Sequence, residues 1–540
     1  MSSSPECLRD RGLARGGDGV GVVAAVRRAW IVPAPMTQPR QRAGSALLLA
    51  VTGFCLLLLA ASALADTSKL DASLRSATGP VDVLVHVRPA TVLTPPQRLP
   101  GEPIIDFRSR LVAFWQARAD ISQAGLRSKL DAMAVDWQPF WLVNAVRLRL
   151  DATDLPWLAT RNDVLAIHDD APRRRLEPEG GSQPLPAPRS PAAIEWGLQR
   201  IGAPQVWAAG ITGQGAVVAG QDTGVRWQHQ ALRRQYRGWD GAAADHRYNW
   251  HDAIEELIGP GDNPCGLATV EPCDDNRHGS HTIGTMVGDD GHGNQIGVAP
   301  DARWIACRNM ERGDGRPSTY TECFQWFVAP GGNGWPLRPD LAPDVINNSW
   351  TCPPAELCQD PAILQEVVAN VRLAGIVVVA SAGNSGSACA SLVNPPAIYA
   401  AAFTVGATTA SEALASFSSR GPVPGAGGLQ KPDVVAPGAA VRSSFSASDT
   451  AYGSLSGTSM AGPHVAGTVA LMIAANPGLR GEVERIEQIL RQSALPIALT
   501  GSCGGQLPGT WPNFQAGHGR IDAWAAFRVA EKILVDGFEP

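Results

Sequence analysis

Apolar and polar positions follow two different rhythms along this chain of 540 residues. Residues 81–87, Val-Asp-Val-Leu-Val-His-Val, alternate with period two and predict a strand. Residues 107–133 carry Leu111, Phe114, Trp115 and Ile121 at helical spacing, on or near one face. Residues 143–150 alternate again, with Val146, Leu148 and Leu150 on one side. Residues 155–160 then read as a short helix and 164–168 as a last strand. This is a small α+β unit, strand–helix–strand–helix–strand. From Ile194 the rhythm becomes short, unbroken apolar runs separated by helical patterns. The runs at 216–220, 304–307, 345–348, 376–380, 403–405 and 434–435 predict buried strands. Between them, residues 362–374 repeat Ile363, Val367 and Val371 four apart before Gly375, and 483–492 place Val483, Ile486, Ile489 and Leu490 on one face. Such alternation predicts an α/β fold, a parallel sheet with helices on both faces. Functional residues are then expected at the carboxyl ends of the strands.

Upstream of both units, residues 46–65 form the only run that reads as long and apolar enough to enter a bilayer. Arg40 and Arg42 precede it and Ala63-Leu64-Ala65 close it, the layout of a secretory signal peptide cut after Ala65. A retained signal anchor is the alternative. Residues 1–35 do not suit export, so translation is expected to start at Met36. The chain thus divides into 1–65 (extension and signal), 66–176, a Pro-rich linker at 177–193 that follows Arg173-Arg174-Arg175, and 194–540.

Composition changes this picture little. Hydrophobic residues make up 44% and charged residues 18%, which excludes wholesale disorder. A net charge of −5 gives no reason to expect nucleic-acid binding. Cysteine says more. Cys7 and Cys55 lie in the leader, and eight others follow: Cys265, Cys273, Cys307, Cys323, Cys352, Cys358, Cys389 and Cys503. In an exported chain these predict disulfides, with about 105 pairings open. The short loops make Cys265–Cys273 and Cys352–Cys358 the natural local pairs. Zinc is the rival, without a Cys-x-x-Cys or paired-histidine spacing behind it.

Candidate chemistry centres on residues 453–467, Gly-Ser-Leu-Ser-Gly-Thr-Ser-Met-Ala-Gly-Pro-His-Val-Ala-Gly. A small-residue turn runs into an apolar segment, and Pro463 fits the first turn of a helix. Ser459 therefore belongs at or beside a helix N-terminus, where free N–H groups favour developing negative charge. It could serve there as a nucleophile or only as an N-cap. Asp222 follows the run 216–220 in Asp222-Thr223-Gly224, and a carboxylate there can orient a histidine. Asp-Thr-Gly also occurs in aspartic peptidases, which need two such aspartates; this is the only one. His278 and His281 stand three apart, a spacing compatible with a base, helix-start histidines or a metal pair lacking a third ligand. Asn384, in Ser381-Ala382-Gly383-Asn384-Ser385-Gly386 after the run 376–380, could donate to an oxyanion or simply make a turn.

Gly-Thr-Ser-Met-Ala-x-Pro-His-Val-Ala-Gly resembles the serine block of the subtilisin-like serine peptidases (subtilases). His278-Gly279-Ser280-His281-Thr282 resembles their histidine block, with Ser280 where threonine is commoner. The order Asp222, His278, Ser459 is the subtilisin order. The resemblance covers about residues 194–526 and is closest to the bacillopeptidase F-type branch. It implies a secreted serine endopeptidase with Asp222, His278 and Ser459 as triad and Asn384 as oxyanion donor. Asn348, Ser349, Trp350 and Gly383 become substrate-binding candidates, and a Thr351 side chain would narrow the specificity pocket. It also implies that residues 66–176 are an inhibitory propeptide removed by self-cleavage in the linker. Protein or peptide substrates, a monomer, no cofactor for the chemistry and structural calcium are further implications, as is a location outside the cell or in the periplasm. The stretches 227–277 and 309–343 look long for the family and read as loops rimming the cleft.

Overall fold

The computed structural model describes residues 66–90, 94–172, 194–259, 262–332 and 334–536. The expected signal, the Met36 start, Arg173–Arg175 and the linker 177–193 lie outside these.

The first unit is a four-stranded antiparallel sheet in the order β2-β3-β1-β4. Its strands are β1 (Pro80–Val87), β2 (Trp137–Phe140), β3 (Ala145–Asp151) and β4 (Val164–Asp169). Helix α1 (Ile104–Ala132) and the short α2 (Leu155–Thr160) complete it. Helix α1 begins three residues before the periodicity predicted, directly after Pro103, which can close the N-terminus but cannot continue a helix backwards. Leu111 and Trp115 are buried as expected, whereas Ile121 is exposed, on the opposite side. β2 was not legible: it is a four-residue edge strand containing Pro139, a residue that argues against a strand interior.

The second unit is a seven-stranded parallel sheet in the order β11-β10-β9-β8-β5-β7-β6. Its members are β5 (Val217–Asp222), β6 (Trp250–Asp252), β7 (Arg303–Arg308), β8 (Val345–Asn348), β9 (Val377–Ser381), β10 (Phe403–Thr408) and β11 (Val434–Pro437). A hairpin of β12 (Val441–Ser444) and β13 (Tyr452–Leu455) follows. The helices are α3 (Trp196–Arg200), α4 (Ala203–Ala208), α5 (His278–Val287), α6 (Pro317–Val328), α7 (Gln365–Leu373), α8 (Thr458–Ala475), α9 (Val483–Ser493) and α10 (Ala523–Asp536). Successive strand residues face opposite sides. Val218, Val345, Val377 and Val379 join one core with α5, α8 and α10. Ala219, Ile305, Ile346 and Val378 join the other with α6 and α7. Burial on both faces explains why these strands read as unbroken apolar runs. Edge strand β6, with His251 and Asp252, lacks that signature and sits inside a stretch that reads as loop. Helix α8 is as long and apolar as a membrane span but is almost wholly buried between α5, α10 and the sheet. The leader is therefore not the only such segment.

The two units share an apolar core: Phe107, Leu111 and Trp115 of α1 cluster with Tyr320 and Phe324 of α6 and Val367, Val368 and Val371 of α7. Buried Arg108 donates to the carbonyls of Ala374 (2.9 Å) and Pro339 (3.0 Å). Backbone N–H groups of Trp141 and Leu142 donate to Gln325 Oε1. Exposed pairs such as Arg98–Glu482 add little, since surface ion pairs contribute about 0–1 kcal/mol. Apolar contact and buried hydrogen bonds hold this face.

Four disulfides close loops among the described residues. Cys265–Cys273 and Cys352–Cys358 form as expected. Cys307–Cys323 pins β7 to α6, and Cys389–Cys503 joins segments 114 residues apart.

Candidate active site

Three strands of the parallel sheet deliver the candidate residues at their carboxyl ends. Asp222 is the last residue of β5, Ser349 follows β8, and Asn384 follows β9 by three positions. Helix α8 brings Ser459 to the same edge.

Asp222 is almost fully buried. Its Oδ1 accepts from the Thr223 N–H (2.8 Å) and from Nδ1 of His278 (2.8 Å). A carboxylate can only accept, so the Nδ1 of His278 carries the hydrogen. The contact depends on glycine: a Cβ at position 279 would fall on the carbonyl oxygen of Gly224. Only glycine beside His278 lets α5 begin directly on the Asp222 loop.

Asp274 fixes this junction, and the sequence reading missed it. Its Oδ1 accepts from the N–H groups of Asn276 and Arg277 and from Thr223 Oγ1 (2.9 Å). Its Oδ2 accepts from the Ser280 N–H (2.9 Å) and hydroxyl (2.6 Å). One carboxylate thus ties the residue after Asp222 to the first turn of α5. An aspartate four residues ahead of His278, one reading of which is a helix-start histidine, was the available signal.

Ser459 is the second residue of α8, in the turn whose N–H groups have no intrahelical carbonyl. Pro463 lies in the second turn, not the first. Its missing N–H leaves the Ser459 carbonyl without an i+4 donor, and Ser349 Oγ donates there instead (2.7 Å). The Ser459 hydroxyl in turn donates to the Ser349 carbonyl (2.9 Å). This reciprocal pair fastens the start of α8 to the end of β8.

The amide of Asn384 has a determined orientation. Its Oδ1 accepts from the Thr458 N–H (2.9 Å) and Thr458 Oγ1 (3.1 Å), so its Nδ2 is the end left to donate. Thr458 Oγ1 also accepts from the Gly383 N–H (3.1 Å). Gly457 lies beside the amide: a Cβ there would stand 3.4 Å from Nδ2, in ordinary contact.

The other candidates divide. The side chains of Asn348, Ser349 and Trp350 are turned inward. Asn348 Nδ2 donates to the Val379 carbonyl (2.8 Å), and Trp350 stacks on Tyr320 with centroids 4.0 Å apart. Gly383 has φ +97°, and the Thr351 methyl lies 3.8 Å from where its Cβ would be. His281 and His464 are buried. Burial holds them neutral, with pKa values lowered from 6.5 to about 3 and about 4, while they hydrogen-bond to the carbonyls of Val441 and Met460. His281 is thus engaged structurally. Among the described residues no three His, Cys, Asp or Glu side chains come together as a metal site, so the expected calcium finds no cradle of that kind.

Residues 213–519 match the model of the subtilase family, more than half of the chain. The chain belongs to the subtilase family. This subtilase is 33% identical over 435 residues to bacillopeptidase F of Bacillus subtilis (strain 168), a match covering 78% of this chain and 28% of that protein. It is 34% identical over 316 residues to subtilisin BL of Lederbergia lenta, 58% of this chain and 96% of that one. It is also 33% identical over 316 residues to an alkaline protease of Alkalihalobacillus alcalophilus, covering 58% and 68%. The chain therefore spans less than a third of the length of bacillopeptidase F.

Proposed function

We propose that the protein is a secreted serine endopeptidase, made as a precursor that processes itself, with Asp222, His278 and Ser459 as its triad. The observation that carries this is the 2.8 Å contact of Asp222 with the Nδ1 of His278, at the same sheet edge as a serine in the first turn of a helix.

In this reading Ser459 Oγ turns its hydrogen from the Ser349 carbonyl to His278 Nε2 and attacks the substrate carbonyl. Asp222 holds the imidazole tautomer and stabilises the imidazolium. Asn384 Nδ2 and the Ser459 N–H donate to the oxyanion. His278 then protonates the leaving amine, and water repeats the sequence on the acyl-enzyme. The base must be neutral, so activity falls on the acid side of neutrality. Asn348, Ser349, Trp350 and Gly383 act on substrate through backbone groups, because the first three have buried side chains.

Residues 66–176 act as propeptide and intramolecular inhibitor, 177–193 as the maturation linker and 194–540 as the catalytic domain. A separate core in the first unit and its docking on α6 and α7 support that division. Export through the leader, a monomeric state and protein substrates complete the proposal, with no cofactor taking part in the chemistry. Purified Ser459→Ala precursor should remain uncut in the linker and hydrolyse no peptide. Linker cleavage in that purified variant would remove Ser459 from the role.

A further inference from the structure

Asp170, the residue after β4, is wholly buried against the second unit. Its Oδ1 accepts from the Ser318 N–H at the start of α6 (2.9 Å), and its carbonyl accepts from Arg316 Nη1 (3.2 Å). Its Oδ2 stands 3.8 Å from Arg316 Nε and 3.6 Å from Arg147 Nε. Arg316 and Ser318, each 1% exposed, face both oxygens of Asp170, but the fit is loose: Asp170 Oδ2 and Arg316 Nε pair only at 3.8 Å, and neither atom has a close hydrogen bond. A carboxylate of the chain itself therefore fills a site made of a guanidinium, a helix N-terminal N–H and a hydroxyl.

A chain of contacts links the pocket to the candidate active site. Ser318 lies half a turn before Tyr320, Tyr320 stacks on Trp350, and the neighbouring Ser349 carbonyl holds the Ser459 hydroxyl. Asp170 also precedes the linker, so it lies on the N-terminal side of any bond cut there.

We infer that, once residues 66–176 have been removed, the Arg316–Ser318 pocket binds an aspartate or glutamate side chain of the substrate, N-terminal to the scissile bond. This rests on the peptidase reading above. Loss of Asp170 leaves a helix N–H, Nε and a hydroxyl to be satisfied, and a carboxylate supplies the acceptors. Glu256 stays paired with Arg316 Nη1 (2.7 Å). Attraction is therefore short-ranged, and the carboxylate has to enter the pocket to be recognised.

The test uses the purified mature protein and peptides that differ at one position. Asp, Asn or Ala is walked through positions two to ten before the cleaved bond, a run of about 30 Å at about 3.3 Å per residue. At one or two adjacent positions Asp should raise kcat/KM about fivefold over Asn, mainly through KM. The Asp-to-Asn ratio should collapse in Arg316→Gln. Indifference to Asp at every position, or a preference that survives Arg316→Gln, overturns the inference. Should Arg316→Gln fail to mature, the wild-type comparison of Asp, Asn and Ala decides alone, and absence of a preference rejects the pocket. A mature protein that cleaves no peptide contradicts the peptidase reading itself; cleavage indifferent to Asp rejects only the pocket.

Discussion

Asn384 shows how single atoms set the chemistry. Its oxygen is consumed by Thr458, which leaves its amide hydrogens to donate, as the proposed oxyanion role requires. Removing one such donor typically lowers kcat by about 10²–10³-fold. Asn384→Ala should therefore lose about that much in kcat with KM little changed, measured on a chromogenic peptide. A fall in KM-dependent binding with kcat intact would place Asn384 in substrate contact instead. The block around Asn384 was legible in the sequence, as was the order Asp222, His278, Ser459. The hydrogen bonds that aim these groups were not. Asp274 lies 51 residues from Thr223, and Ser349 lies 110 from Ser459; only the folded sheet brings such pairs together.

Helices α5 and α8 hold His278 and Ser459, and their crossing depends on small residues. A Cβ at Gly467 of α8 would stand 2.5 Å from Val298 Cβ and 3.1 Å from the Met286 carbonyl oxygen of α5. Alanine gains up to about 1 kcal/mol of helix propensity over glycine. Overpacking a tight core costs about 1–3 kcal/mol. Backbone is among the atoms met, so the clash should win. Gly467→Ala should lower the stability of the Ser459→Ala precursor by about 1–2 kcal/mol in denaturant titrations; a gain in stability would mean that the α5–α8 contact is looser than described. At this scale the sequence was informative where burial was complete. Strands β8 and β9 were predicted within a residue, because both faces are covered and the apolar runs Val345-Ile346 and Val377–Ala380 mark them. Edge strands β2 and β6, one with a proline and one with two polar residues of three, left no such mark.

Across the whole molecule, acid sensitivity follows from buried imidazoles. His281 and His464 are lowered by burial from 6.5 to about 3 and about 4. The unfolded chain takes up these protons below pH 6.5 while the folded chain refuses them. Their contribution is thus intact above pH 6.5 and declines as pH falls toward 4, by about 1.4 kcal/mol per pH unit for each histidine. The denaturation midpoint of Ser459→Ala precursor should drop between pH 7 and pH 5; a constant or rising midpoint would contradict neutral burial of these rings. The docking of two units was predictable only as element order. Neither the shared core of α1, α6 and α7 nor the Cys389–Cys503 link can be read from spacing, because both join segments far apart in the chain. The central claim is that Ser459 is the activated nucleophile. It is tested most directly by reacting the mature protein with a fluorophosphonate and locating the adduct by peptide mass spectrometry. The account predicts one adduct, on Ser459, abolished by His278→Ala. A folded mature protein that carries no adduct, or carries it on another serine, would contradict it.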